Sequence, residues 1–242
     1  MAMDVDSTSL QRLLDLQSED SAIDRLERHM ATLPEAARLG EVNDQLAELS
    51  ADLEIAGKQH DEIQREASKL EGEIELIDQK IAREEQRMFS GSVSNPKELS
   101  ALQAEVESLK RKKSGIEDGL LEVMEARDQA AATITSLTGE KDAASTEAEQ
   151  LTTKVGELTG GIEAELADHR AKRGEVAPSI PEAVLTLYEK LREQKHGVGA
   201  AALIGGTCQG CHTKLPAKEV ERLKAEGGLQ RCDNCRRILV IS

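Results

Sequence analysis

Two long stretches of this sequence place apolar residues at alternating spacings of three and four, and this repeat limits the possible folds more than any other feature. The first run extends from Leu39 to Met88 and the second from Leu99 to Ile162. Both keep a strict average spacing of 3.5 residues over many heptads, whereas an amphipathic helix packed on a globule drifts towards 3.6. The pattern therefore predicts coiled-coil helices and a mainly α fold.

The composition supports an elongated protein. Phe89 and Tyr188 are the only residues of the Phe, Tyr and Trp class among 242, so a large globular core is not expected. Charged residues make up 32% of the chain and the net charge is −15, a composition typical of a soluble long helix or coiled coil. No apolar run is long enough to cross a bilayer, and residues 1–6 lack the features of a secretory signal. We therefore expect a cytoplasmic protein without a membrane contact.

The segment between the two runs reads as a turn followed by a helix start. Residues 89–94 are rich in Ser and Gly, and Asn95 can cap a helix that has Pro96 at its first position and Glu98 at its third. The two arms on either side, 7–88 and 96–173, are nearly equal in length. We therefore expect an antiparallel coiled-coil hairpin with its tip at about 89–96. A dimer whose helices pair between chains is the alternative.

Four cysteines form two identical pairs near the carboxyl end of the chain. Cys208 and Cys211 are separated by two residues, as are Cys232 and Cys235, and twenty residues lie between the pairs. This spacing is typical of a tetrahedral zinc site, in which four thiolates leave no open position for water or substrate. We expect one structural Zn²⁺ per chain. Iron in the same cage and a pair of disulfides are the alternatives.

Short predicted elements surround the cysteines. Ser179 is expected to cap a helix that ends near His196, residues 200–204 and 237–241 read as strands, and residues 216–223 read as a short helix. Two C-x-x-C turns flanked by short strands indicate a zinc ribbon. The predicted domains are a coiled-coil hairpin over residues 1–175, and a short helix with a C4-type zinc ribbon over residues 176–242.

Several motifs occur together in this chain: Asn95-Pro96-Lys97-Glu98-Leu99, Cys208-Gln209-Gly210-Cys211-His212, Leu215-Pro216, and Cys232-Asp233-Asn234-Cys235 followed by Arg237-Ile238-Leu239. With this combination, nearly the whole chain resembles the bacterial coiled-coil proteins that carry a C-terminal C4-type zinc ribbon, and their actinobacterial members in particular. The resemblance implies a long hairpin with a ribbon at its base. Some relatives are described as nucleic-acid-binding, or as partners of an alternative sigma factor in flagellar control. Arg236 departs from the family, which usually has Gly directly after the last cysteine.

The charge distribution bears on the partner. Residues 1–195 carry a net charge of −18 and residues 196–242 a net charge of +3, so nucleic acid can be contacted only by the ribbon. The candidate contacts are Lys214, Lys218, Arg222, Lys224, Arg231, Arg236 and Arg237. We therefore predict an adaptor whose ribbon contacts nucleic acid or a transcription or RNA machine, with the coil as a spacer. The ribbon lacks an aromatic residue on which an unpaired base could stack, which counts against this function.

The alternative is a purely protein–protein scaffold or chaperone-like regulator. Met88, Phe89 and Val93 cluster at the predicted tip, where an exposed apolar side chain can contact a protein partner. No nucleotide-binding motif and no catalytic Ser/His/Asp arrangement occurs in the sequence, and a hairpin offers no concave pocket. We therefore expect neither enzymatic activity nor a small-molecule substrate.

Overall fold

The structure, a computed structural model, describes residues 6–241. The prediction that the first residues do not form a secretory signal concerns residues 1–5, which lie outside the described residues. The elements in chain order are helices α1 (Ser7–Ala31), α2 (Pro34–Phe89) and α3 (Pro96–Val176), a 3₁₀ turn (Ala177–Ser179), helix α4 (Glu182–Gln194), strands β1 (Ala200–Ile204) and β2 (Thr207–Cys208), helix α5 (Ala217–Glu226), and strands β3 (Gln230–Arg231) and β4 (Ile238–Ile241).

The helix boundaries follow from local chemistry. Helix α1 ends before Pro34, which cannot donate a backbone hydrogen bond and instead occupies the first position of α2. At the start of α3 the side chain of Asn95 accepts a hydrogen bond from the backbone N–H of Lys97 at 3.0 Å, as the capping motif predicts. Ser179 does not cap α4. Its hydroxyl donates to the carbonyl of Val176 within the preceding turn, and α4 begins after Pro181 without a side-chain cap.

The long helices form the predicted antiparallel coiled-coil hairpin within one chain. Every buried residue of α2 belongs to the heptad run: Val42, Leu49, Ala56, Ala67, Ile77 and Ile81. Ion pairs cross between the arms in antiparallel order, since Arg38 pairs with Glu147 at 2.8 Å and Asp78 pairs with Lys113 at 2.7 Å. Exposed pairs of this kind contribute about 0–1 kcal/mol each, so the apolar seam stabilises the hairpin and the ion pairs favour its register.

The contacts divide the chain into two compact units. The tip unit comprises Arg38–Gln150, and the ribbon unit comprises the described residues up to Ala37 together with those from Leu151 onward. The predicted domain boundary between residues 175 and 176 stays a prediction. No helix within residues 6–241 combines the length and the apolar character that crossing a membrane requires.

The ribbon unit is built on a four-stranded sheet with the order β2-β1-β4-β3. Its central pair, β1 and β4, is parallel, with Ala200 opposite Ile238, while the outer strands are antiparallel to their neighbours. Strands β1 and β2 join through Gly205 and Gly206, whose φ angles of 57° and 76° suit a two-residue hairpin turn.

Both faces of the central strands are covered, except at Ile204 at the end of β1. Ala200, Ile238 and Val240 pack into one cluster with apolar residues of α1 and α4, including Leu13 and the fully buried Tyr188. Residues of the opposite face belong to a second cluster: Ala201, Leu203 and Leu239 pack there with Leu223 of α5 and with Cys208 and Cys232. The near-continuous apolar sequences of β1 and β4 follow from this arrangement, because a strand covered on both sides has no solvent face.

Candidate metal centre

The four cysteines lie at the ends of short strands and in the turns between them. Cys208 is the last residue of β2, Cys211 lies in the turn that follows it, and Cys232 comes directly after β3. Cys208 and Cys232 are fully buried, whereas Cys211 and Cys235 are half-buried. The structure therefore brings together all four residues that the sequence pattern selected.

The sulfur geometry fits a single tetrahedral metal. All four Sγ atoms lie within 4.8 Å of one another, and the Cys208–Cys235 and Cys211–Cys232 sulfur pairs are each 3.9 Å apart. Ligands about 2.3 Å from a central Zn²⁺ on a regular tetrahedron lie about 3.8 Å from each other. A disulfide needs sulfurs about 2.0 Å apart, and all four cysteines are free. These residues would hold Zn²⁺ in a closed, structural site.

The two turns have the same backbone geometry. The N–H of His212 donates to the carbonyl of Cys208 at 2.7 Å, and the N–H of Arg236 donates to the carbonyl of Cys232 at 2.8 Å. In each turn the residue after the second cysteine is left-handed, with φ angles of 57° at His212 and 66° at Arg236. Arg236 thus adopts a conformation in which Gly is unstrained, and a residue with a Cβ costs about 1–2 kcal/mol more there.

The thiols differ in acidity in the metal-free protein. Burial raises the pKa of Cys208 to about 12 and also raises the pKa of Cys232. Burial has the same tendency at Cys211, but hydrogen bonds from Thr213 and Asn234 outweigh it and lower the pKa of that thiol to about 6. Metal binding would therefore displace protons from the two buried thiols, whereas the lowered pKa of Cys211 favours its thiolate form.

Comparison with known proteins assigns the chain to a family. The sequence pattern of the CT398-like coiled coil hairpin domain matches residues 16–196. The chain belongs to this family. A C4-type zinc ribbon domain matches residues 207–239, which contain all four cysteines, and so supports zinc over iron in the cage of this CT398-like protein.

Relatives and solved structures agree with the assignment. Two uncharacterized Mycobacterium tuberculosis proteins, MT2288 and Rv2229c, are each 27% identical over 237 residues, which cover 94% of this chain and 93% of the relative. A solved structure from Mycobacterium smegmatis has 25% identity and a TM-score of 0.84, over 99% of this chain and 100% of that chain. CT398 from Chlamydia trachomatis, 19% identical, has a TM-score of 0.71 over 97% of this chain and 98% of its own, and shares the fold.

Four of the seven basic ribbon residues have partners within this CT398-like protein. Arg222 binds Glu219 and Glu226, which raise its pKa, and Arg236 lies 3.7 Å from Asp233. The guanidinium groups of the other two arginines bind backbone carbonyls. Arg231 donates to the carbonyl of Arg236 at 2.8 Å, and Arg237 donates to the carbonyls of Val198 at 2.8 Å and Lys195 at 3.1 Å.

Arg237 also explains a glycine of the first cysteine turn. A Cβ at Gly210 would lie 2.8 Å from Cδ of Arg237 and 2.9 Å from Cβ of Ala201, and both distances are too short for a carbon–carbon contact.

The remaining three of the seven basic ribbon residues are lysines: Lys214, Lys218 and Lys224. They are exposed and have no carboxylate within ion-pair distance among residues 6–241.

The three predicted tip residues have different environments. Met88 packs against the seam cluster that contains Ile81 and Val106, and Val93 is half-buried. Phe89 is 84% exposed, more than any other large apolar side chain of the described chain. It borders an open groove of about 540 Å³ in the tip unit, which Met88 and Val106 also line.

Two polar residues that sequence reasoning missed organise the ribbon unit. Oε1 of Gln17 accepts hydrogen bonds from the backbone N–H groups of Gly199, at 2.7 Å, and Ala200, at 3.2 Å. Asp20, which is 1% exposed, accepts hydrogen bonds from the Tyr188 hydroxyl and from Nε of Arg173, each at 2.7 Å.

The sequence feature that could have identified Gln17 and Asp20 is their position on α1. Gln17 and Asp20 lie at helical spacing on the same face as Leu13, Leu16 and Ile23, where apolar residues were expected. A polar residue that interrupts an apolar face is most stable when it has a hydrogen-bonding partner, but its sequence position does not identify that partner.

Proposed function

We propose that this protein is a non-enzymatic, zinc-stabilised adaptor of the cytoplasm, with one Zn²⁺ per chain and a hairpin tip that binds a protein partner. The observation that carries the proposal is the exposure of Phe89. This ring is 84% exposed at the end of α2, although the chain has only one other aromatic residue of its class, and that residue is fully buried. An exposed aromatic side chain beside a groove is the kind of feature on which protein–protein interfaces concentrate their binding energy.

The metal centre supports a structural role for zinc. A Zn²⁺ held by the four cysteines would have only thiolate ligands supplied by the protein, so its coordination shell would have no position for a substrate or a reactive water. Apolar side chains of the second sheet cluster, among them Leu203, Leu215 and Leu239, pack with the cysteines. A reducing compartment keeps such thiols available for a metal, which favours the cytoplasm.

The environment of the arginines favours protein over nucleic acid as the partner. Binding to phosphate would require Arg222 to exchange Glu219 and Glu226 for the new ligand, and two of the three guanidinium nitrogens of Arg237 already donate to backbone carbonyls. The cations without a carboxylate partner among the described residues are the three lysines, Arg231 and Arg237, and an electrostatic contact with so few charges is weak at physiological salt. Contact with nucleic acid through the seven basic residues stays a prediction.

The experiment is a comparative crosslinking pulldown from the native host with full-length, zinc-loaded protein. Phe89→Ala removes the exposed ring, and Leu76→Ala is the matched control because Leu76 is another exposed apolar residue of α2, at 65%. We expect a partner that crosslinks to the wild type and to Leu76→Ala, and that is lost with Phe89→Ala, whether or not RNase is added.

Two outcomes contradict the proposal. An unchanged set of crosslinked proteins with Phe89→Ala would remove the tip as the contact. Loss of the partner after RNase treatment, with no effect of Phe89→Ala, would instead support the nucleic-acid function of the ribbon.

A further inference from the structure

A second surface lies on the ribbon unit, between the turn that joins β1 to β2 and helix α5. It is an open groove of about 400 Å³. Leu203, Leu215 and Val220 supply its apolar lining, while Lys214 and Lys224 supply positive charge. The residues of this groove, which we call the lysine groove, are separate from the metal ligands and from the tip.

The charges of this groove are available to a ligand. Neither Lys214 nor Lys224 has a carboxylate within ion-pair distance in the described part of the chain, whereas Arg222 of the same helix is held by Glu219 and Glu226. Glu221 also lines the groove, so the lining carries a net charge of one positive unit. An acidic ligand is therefore favoured over a basic one.

The apolar part of the surface extends beyond the groove itself. Ile204, next to the lining residue Gly205, is 60% exposed and is the only large apolar side chain with such exposure in residues 176–241. Lys224 also lines a smaller groove of about 280 Å³ together with Leu10 and Ile241. Two adjacent grooves that share a lysine suit an extended chain better than a small molecule.

The lining discriminates between peptide and nucleic acid. Aliphatic side chains accept leucine or isoleucine side chains, whereas single-stranded nucleic acid binds through bases stacked on aromatic rings. The only aromatic residue of this class in the ribbon unit is Tyr188, which is fully buried. The geometry points to one occupant: an acidic peptide segment of a protein partner, with aliphatic side chains that enter the lysine groove. This site is independent of the contact proposed for Phe89.

The test uses the full-length, zinc-loaded protein and a fluorescein-labelled synthetic peptide in which pairs of glutamates alternate with single leucines. Binding is measured by fluorescence anisotropy. Reversal of both groove charges, Lys214→Glu with Lys224→Glu, should weaken binding by about tenfold or more, since each site loses an attraction and gains a repulsion. The variant's zinc content is measured to show that the ribbon is intact.

Lys218→Glu is the matched control. Lys218 is an exposed residue of α5, the helix that also carries Lys224. It has no ion pair among the described residues and does not line the groove. The same reversal there should change the affinity by less than about threefold, because only screened, longer-range attraction is lost. A peptide with serine in place of leucine should bind more weakly than the original, and Phe89→Ala should bind the original peptide normally.

Several results would overturn the inference. These are the absence of saturable peptide binding, an equal loss with Lys218→Glu, or equal affinity for the serine peptide. If an oligouridine RNA displaces the peptide and binds more tightly than it, the groove is a nucleic-acid site. Self-association that only the groove variant abolishes would make a second copy the occupant.

Discussion

Replacement of Asp20 by alanine tests the polar network that holds α1 against the ribbon. The side chain of Asp20 is 2% exposed and faces three donors: the Tyr188 hydroxyl at 2.7 Å, Nε of Arg173 at 2.7 Å and Nε of Arg192 at 3.6 Å. The pKa of Tyr188 is raised by burial and by its hydrogen bond to Asp20. Without the carboxylate, the Tyr188 hydroxyl and Nε of Arg173 lose their shared hydrogen-bond acceptor, and Arg192 loses one of its two ion pairs.

The expected cost can be bounded from these contacts. Removing one partner of a buried ion pair costs about 3–5 kcal/mol. Arg173 keeps Glu189 and Arg192 keeps Asp24, and both arginine side chains are partly exposed to water, at 30% and 24%. We therefore expect a loss near the lower limit, about 3 kcal/mol, in the free energy of unfolding of the ribbon unit.

The chain contains its own probe for this measurement. Tyr188 is the only tyrosine, and there is no tryptophan, so intrinsic fluorescence reports on the cluster that includes α1, α4 and one face of the sheet. Urea unfolding followed by Tyr188 fluorescence should shift to lower urea in Asp20→Ala. Far-UV circular dichroism, which follows the helices of both units, should shift less.

Asp15→Ala is the control, because Asp15 is an exposed residue of α1 without an ion pair in the described chain. It should change the stability by no more than about 0.5 kcal/mol. If the Tyr188 transition moves equally in the two variants, Asp20 does not hold α1 to the ribbon and the reasoning is refuted.

Four further predictions concern the metal centre, the turn at Arg236 and two glycines. Cys232→Ser should lose zinc while the tip unit stays helical. The zinc affinity of the wild type, measured by chelator competition, should rise with pH, because the raised pKa values of Cys208 and Cys232 mean that protons leave on binding. A zinc affinity that does not depend on pH would contradict thiolate ligation. Arg236→Gly should raise the melting temperature of the ribbon, with a gain of about 0.5–1 kcal/mol in the free energy of unfolding, because relief of the left-handed backbone strain exceeds the entropy that glycine adds to the unfolded chain. A lower melting temperature would mean that the Arg236 side chain stabilises the turn. Gly139 is an exposed residue of α3 where an added Cβ meets nothing within 4 Å, so Gly139→Ala should stabilise α3 by up to about 1 kcal/mol in thermal circular dichroism. Gly210→Ala should instead destabilise the ribbon, because its Cβ would lie 2.8 Å from Arg237. Equal effects of the two substitutions would contradict this distinction.

The features that the sequence predicted depend on short-range chemistry. The heptad period places a residue on the seam according to its near neighbours alone, so the buried positions of α2 could be identified without the partner helix. The helix start at Asn95 and Pro96 depends on adjacent backbone groups. The zinc site was predictable because a C-x-x-C turn brings its two sulfurs together within four residues.

Ser179 shows the limit of such local rules. Its spacing to Glu182 satisfies the capping pattern, but the 3₁₀ turn that ends α3 directs its hydroxyl to the carbonyl of Val176 instead. The same limit applies to the arginines of the ribbon. Their number follows from composition, whereas Arg237 is bound to Lys195 and Val198 because the sheet places it there.

The tertiary structure alone decided how α1 and the ribbon meet. The contact of Gln17 with Gly199, of Asp20 with Tyr188, and the parallel pairing of β1 with β4 join residues that are distant in sequence. The two contacts of α1 require the hairpin to bring α1 back to the ribbon, and many residues could satisfy the same donors and acceptors. Periodicity and cysteine spacing therefore determined the hairpin and the metal cage. The packing of α1 on the ribbon followed from which buried polar groups found partners once the chain had folded back.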